Sequence, residues 1–185
     1  MKVNLRTWLG YDTSWHIMFL SYLSRVLEPE CYVEIGIYEA STFNRVSKYA
    51  KFAMGIDVNP KAGEFIKSKE AKFGCGTSSI LESMMRCYGK QKIDLAFIDG
   101  DHKSDQVLDD FAEISKYATD ECLILIHDTW PKTLADTAEN RCADSFKVPK
   151  MIQEFTNGDW GAITIPNHPG LTITQRSNIR PTWMV

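Results

Sequence analysis

The chain has 185 residues, 44% hydrophobic, 11% aromatic and 24% charged, which suits one well-cored domain and excludes a disordered or low-complexity chain. The formal net charge is −3 with Lys and Arg scattered, so a phosphate backbone finds no basic footprint and bulk nucleic-acid binding is disfavoured. No run approaches the roughly 20 apolar residues of a membrane span, the first residues read as no export signal, and five widely spaced cysteines read as reduced thiols of a cytoplasmic protein.

From Thr13 to Leu27 the residues Trp15, Met18, Phe19, Tyr22, Leu23, Val26 and Leu27 recur at three and four. That spacing predicts a helix behind a Thr13 or Ser14 cap, ended by Pro29. Its apolar positions read as core or as contacts with a second copy of the chain, and His16 falls on the polar side as a structural residue. Cys31–Gly36 is a short apolar run closed by glycine, followed by helical spacing over Ala40–Ala50. The cycle repeats with a strand at Phe52–Asp57, a helix at Pro60–Lys69 with proline in its first turn, a weak strand at Ala71–Cys75 and a helix at Ser79–Tyr88.

The strongest strand is Ile93–Ile98, which runs into Asp99-Gly100-Asp101-His102, with Asp101 placed to cap an amphipathic helix over Ser104–Tyr117. Cys122–Ile126 is continuously apolar, as expected of a parallel strand covered on both faces. A helix at Pro149–Phe155 precedes Ala162–Ile165 and Leu171–Thr174, a hairpin around Pro166–Gly170. Five strand-plus-crossover units predict a doubly wound α/β domain over 1–185. Met1–Ser14 and Pro131–Val148 are left as lid or substrate segments.

In open parallel sheets, ligands lie beyond the carboxyl ends of the strands. Here those ends carry Glu34-Ile35-Gly36, Asp57, Asp99 to His102, and His127-Asp128. The first turn is no dinucleotide fingerprint, because Tyr38 stands where the second glycine lets a pyrophosphate approach. Asp57, about twenty residues further on, suits the two hydroxyls of a ribose. A nucleoside without pyrophosphate is therefore the expected ligand. His102 has the unperturbed pKa of a general base, and paired carboxylates on adjacent strands repel unless a cation, a proton or a partner such as Lys103 relieves them. An aromatic face such as Tyr11 or Trp15 would tolerate a cationic centre.

The segments V-E-I-G-x-x-x-A-S at Val33–Ser41, G-I-D at Gly55–Asp57, D-L-A-F-I-D-G-D-H at Asp94–His102 and L-I-L-I-H-D-T at Leu123–Thr129 resemble the class I S-adenosylmethionine-dependent methyltransferases. The likeness is to their small-molecule and sugar O-methyltransferase branch. The resemblance implies a Rossmann-like, doubly wound sheet of seven strands, mostly parallel with the last antiparallel. It implies cofactor contacts at Glu34, Gly36, Ser41, Asp57, Ser78 and Asp99, though Gly76–Ser79 lacks the acidic residue often found against adenine. It implies His102 as base, with Asp99 and Asp128 as its catalytic companions, and a divalent cation such as Mg²⁺ on Asp99, His127 and Asp128. His127 stands where the family has a carboxylate. The alternatives are a nicotinamide or nucleotide-sugar Rossmann enzyme, and a non-catalytic protein that keeps the cofactor pocket.

Overall fold

The computed structural model describes residues 15–90 and 92–177. Its elements in chain order are α1 (Trp15–Leu27), β1 (Tyr32–Ile35), the single-turn α2 (Phe43–Val46), β2 (Ala53–Asp57), β3 (Lys72–Cys75), α3 (Leu81–Cys87), β4 (Ile93–Ile98), α4 (Ser104–Ser115), β5 (Ala118–His127), α5 (Val148–Phe155), β6 (Trp160–Ile165) and β7 (Leu171–Arg176). The strands form one sheet in the order β3-β2-β1-β4-β5-β7-β6. Strands β3, β2, β1, β4 and β5 run parallel, and β7 alone is antiparallel, inserted between β5 and β6. This is the seven-stranded arrangement expected.

Successive side chains of a strand face opposite sides of the sheet, and the core divides accordingly. Val33, Ile35, Ala96, Ile98, Ile124 and Ile126 pack with Met85 of α3, Phe111 of α4 and Ile152 of α5. Tyr32, Leu95, Phe97 and Leu125 pack with Leu20 of α1 and Phe43 of α2. Each fully buried Val, Leu, Ile, Met or Phe among them contributes about 1.5–3 kcal/mol by leaving water. All five cysteines are free thiols. No helix among the described residues is long and apolar enough to cross a membrane.

Several local expectations are corrected. The predicted helix over Pro60–Lys69 is only a 3-10 turn, Pro60–Phe65. Gly63 lies against Phe73, where a β-carbon would sit 2.6 Å from the ring, and that packing draws the chain back to the sheet before an α-helix can propagate. The segment after β1 is likewise reduced to α2 and a 3-10 turn at Ser47–Tyr49. Strand β5 starts four residues earlier than Cys122, because Ala118 pairs with Ile93 and an irregularity lets Asp120 and Glu121 stand out to solvent. The buried line of α1 is His16, Leu20 and Ser24, while Met18, Tyr22, Val26 and Leu27 are exposed. The helix is thus rotated from its expected face: Ser24 reaches the Val46 carbonyl at 3.0 Å, a close approach that a larger side chain would prevent. The expected caps Thr13 and Ser14 lie outside the described residues.

Candidate active site

A cavity of about 610 Å³ opens at the carboxyl ends of β1, β2 and β4, within the size range of small-molecule sites. Gly36 forms its floor at φ +83°, and a β-carbon there would stand 2.3 Å from the Asp99 carbonyl oxygen. Only glycine permits both this backbone conformation and this contact between neighbouring strand ends. Asp57 sits at the rim, where its Oδ2 accepts the Tyr38 N–H and its Oδ1 the Asn59 N–H, both at 2.8 Å. Tyr38, at φ 47° and largely exposed, turns the chain so that its N–H can reach that carboxylate.

The other cofactor candidates are placed differently. Glu34 is 1% exposed and does not line the cavity; it accepts the Tyr32 hydroxyl and the Phe43 N–H, tying β1 to the start of α2. Burial, only partly offset by those bonds, pushes its carboxyl well above the usual range. Ser41 is exposed and faces a neighbouring cavity with Arg45 and Lys48. Ser78 is buried behind the lining residues Gly76 and Thr77, hydrogen-bonded to Asp110. Asp110 does line the cavity: it is 2% exposed, accepts from Gln106 Nε2 at 3.0 Å, and burial raises its pKa to about 6.

Beyond β4 and β5 the structure brings together Asp99, His102, His127 and Asp128. His127 Nδ1 lies 2.9 Å from Asp99 Oδ1 and 3.5 Å from Asp128 Oδ1. His102 Nδ1 lies 3.0 Å from Asp128 Oδ2, and its Nε2 lies 3.7 Å from Asp99 Oδ1. Burial alone would raise the Asp99 pKa, but the two imidazoles outweigh it and hold the carboxyl well below its usual range. Burial would lower His102, yet the bond to Asp99, the Asp128 charge and the Arg141 carbonyl push it up to about 9. His127 is raised for the same reason, against its own burial, by Asp99 and Asp128. For Asp128 burial prevails over both imidazoles and the shift is upward. The two histidines thus relieve the carboxylates, in the place left open for Lys103.

Asp128 holds φ 60° at the end of β5, a left-handed conformation that Asp tolerates better than most residues and that often marks a functional turn. The segment after it packs onto the cluster. The Arg141 carbonyl accepts from His102, Cys142 Sγ approaches Asp128 Oδ1 at 3.7 Å, and Ser145 Oγ donates to the Asp128 carbonyl at 2.6 Å. Asp144 accepts both the N–H and the hydroxyl of Ser104, at 2.7 and 2.9 Å. The start of α4 is therefore held from a distant loop, while Asp101 accepts only the Lys103 N–H.

His16 is the residue the sequence reading set aside. It is 6% exposed, and its ring centroid lies 3.9 Å from that of His127. The spacing of His16, Leu20 and Ser24 along one helical line was the available signal. Donor atoms of Asp99, His102 and Asp128 lie within 4.8 Å of one another, as do those of His16, Asp99 and His127. Tyr11 lies outside the described residues, and Trp15 packs against the core of Leu20 and Phe97.

The family described as "Methyltransferase domain" matches residues 8–129. No curated protein sequence matches the chain. The O-methyltransferase from Bacillus cereus in complex with SAH superposes with a TM-score of 0.71 at 12% identity, over 91% of this chain and 84% of that one. TomG from Streptomyces achromogenes, an O-methyltransferase involved in tomaymycin synthesis and solved with SAM, gives a TM-score of 0.71 at 14% identity, over 94% and 86%. The SAH-bound methyltransferase PaMTH1 from Podospora anserina gives 0.68 at 12% identity, over 88% and 78%. With the sheet order, the glycine-floored cavity and a family match over more than half its length, the chain belongs to the methyltransferase-domain family and has the class I fold of S-adenosylmethionine-dependent enzymes.

Proposed function

We propose that this chain transfers a methyl group from S-adenosylmethionine to a hydroxyl of a small molecule, a sugar or a secondary metabolite, in the cytoplasm. The observation that carries the proposal is one cavity that runs from Asp57, its carboxylate fixed by two backbone N–H groups, to Asp99 and His102. A carboxylate so held keeps lone pairs free for a ribose diol. Gly36, packed so closely on the Asp99–Gly100 backbone that no β-carbon fits between them, leaves main chain at the cavity floor for a ligand to lie against. The cofactor supplies an electrophilic methyl group on a sulfonium.

Gly36, Asp57 and Asp99 are the residues that would touch this cofactor. Glu34 and Ser78 would act behind them, the first by anchoring α2 and the second by holding Asp110; Ser41 is the weakest member of the expected set. His102, its ring oriented by Asp99 and Asp128, would take the proton of the acceptor hydroxyl only in its neutral form. Because its pKa is raised to about 9 instead of resting near the unperturbed value expected, methyl transfer should increase as pH rises toward 9. A divalent cation such as Mg²⁺ on Asp99, His127 and Asp128 would fix that hydroxyl and lower its pKa; the close approach of these donors supports the fit. Residues 131–148, packed over His102 and Asp128 through Arg141, Cys142 and Ser145, would border the acceptor.

The test is to incubate the purified chain with methyl-labelled S-adenosylmethionine and a panel of sugar and phenolic acceptors. Label should appear in ether linkage on an acceptor, and calorimetry should give 1:1 cofactor binding. A folded chain that binds neither S-adenosylmethionine nor its demethylated product would sink the proposal.

A further inference from the structure

The proposed function gives Asp110 no contact with a ligand. It stands in the middle of α4, 2% exposed, and lines the cavity together with Gln106, one turn before it. Gln106 Nε2 donates to Asp110 Oδ1 at 3.0 Å, and the Ser78 hydroxyl donates to the same carboxylate from the turn after β3. A carboxylate offers about four lone-pair positions, so these two neutral donors leave it half satisfied. The charged groups that act on it most strongly, Asp109 and Asp101, are both acidic. A buried carboxyl in such surroundings is stabilised only when a further donor reaches it. Its Oδ2 would lie 3.9 Å from a β-carbon at Gly100, another lining residue; with glycine there, that oxygen stands beside bare main chain.

This wall adjoins the ribose carboxylate. The Asp57 carbonyl accepts the Gly76 N–H at 2.9 Å, and Gly76 and Thr77 line the cavity directly before Ser78. A base carried on a ribose at Asp57 therefore has Gly76, Thr77, Gln106 and Asp110 for its neighbours. The segment Gly76–Ser79 itself holds no acid. We propose that Asp110, oriented by Ser78 and Gln106, reads the nucleobase of the cofactor, its carboxylate accepting from the exocyclic amino group of adenine and selecting adenine over hypoxanthine. The acid missing from the turn after β3 is thus supplied by α4. The proposal rests on the cofactor reading above and names the residue that gives it base specificity. An amino group brings the donor that the carboxylate lacks and adds no charge. The oxo group of hypoxanthine sets lone pairs against lone pairs and leaves both acceptors unmet.

The experiment is calorimetry of the full chain with S-adenosylhomocysteine and with S-inosylhomocysteine, which share ribose and homocysteine and differ only in the base. It is run at about pH 8, where a carboxyl of pKa about 6 is ionised and can only accept. The unsubstituted chain should bind the adenosyl compound at least about 30-fold more tightly. Asp110→Asn keeps the size of the side chain and offers an amide N–H₂ to the oxo group, so it should bring the two affinities within about 3-fold of each other. If Asp110 only clasps α4 to the turn after β3, the variant weakens both compounds alike and keeps their ratio, and that result overturns the proposal. Equal affinity of the unsubstituted chain for both compounds overturns it as well, without any variant having to fold. Binding of the adenosyl compound without discrimination rejects base reading by Asp110 and leaves the cofactor reading standing, whereas binding of neither compound rejects the cofactor reading and the base reading with it.

Discussion

The two ends of the cavity are made from different materials. Beside β1 and β2 the walls are backbone: Gly36 pressed against the Asp99 carbonyl, and the Tyr38 and Asn59 N–H groups turned onto Asp57. Beyond β4 and β5 they are side chains from four separate stretches, His16, Asp99 to His102, His127-Asp128 and Arg141 to Ser145. The first end is shaped by a few local turns, so it tolerates change except where a β-carbon intrudes. The second is a balance of buried charges, in which each imidazole compensates a carboxylate and each group's protonation depends on the others. One end is held by backbone packing and the other by charge compensation.

The largest effect should come from violating the backbone end. Gly36→Val places a side chain into the Asp99 carbonyl in a conformation L residues rarely adopt, so denaturant unfolding should show a loss of about 3–5 kcal/mol or no folded protein. A stable variant would mean that the strand ends can separate, and the contrast would fail. In the side-chain end, His102→Ala removes an imidazole that faces both Asp99 and Asp128, so it should lower stability as well as turnover, the latter by about 10²-fold or more in protein shown to be folded, read as methyl transfer at saturating cofactor. Unchanged turnover would remove His102 from the chemistry.

Asp57→Ala should weaken S-adenosylmethionine binding by about 1–3 kcal/mol in calorimetry without altering a turnover measured at saturation, a split that sharpens the division of labour. NADH should give no saturable fluorescence enhancement, because Tyr38 occupies the pyrophosphate approach. The smallest expected effect concerns Asp110, which lines the cavity and is bonded to Ser78 and Gln106. Burial raises its folded pKa to about 6, above the ordinary carboxylate value, so the folded state holds that proton to higher pH than the unfolded chain. Its contribution is favourable below about pH 4 and is lost as pH rises through 6. The stability of Asp110→Asn relative to the parent should therefore increase by about 1–2 kcal/mol between pH 4 and pH 7 in urea titrations. A constant difference across that range would show that the site does not hold a displaced proton.

The legibility of the site divides along the same line. Gly36, Asp57, Asp99, His102, His127 and Asp128 are recognisable because each directly follows an apolar strand, and in a parallel sheet all such ends share one edge. Glu34 is in the same kind of position but turns to Tyr32 and Phe43. Its direction is set by strand alternation: it shares the face of Tyr32, two residues before it. Ser41, expected at the cofactor, instead lines the neighbouring cavity because the segment after β1 turns tightly into a single-turn helix.

Apolar runs, their lengths and the punctuation by Gly and Pro are local properties, and they determined the seven strands, their alternation with helices and the strand ends that carry polar groups. Tertiary packing decided what local pattern leaves degenerate. The rotation of α1 that buries His16 instead of Met18 depends on which side chains can approach β1 and β4 closely. The irregular start of β5 depends on its pairing with Ile93, and the capping of α4 by Asp144 joins residues 40 positions apart. The charge balance at Asp99 and Asp128 likewise exists only once His102, His127 and the loop from Arg141 to Ser145 meet, because the interaction of buried charges depends on distance and solvent exclusion, neither of which is written in the order of residues.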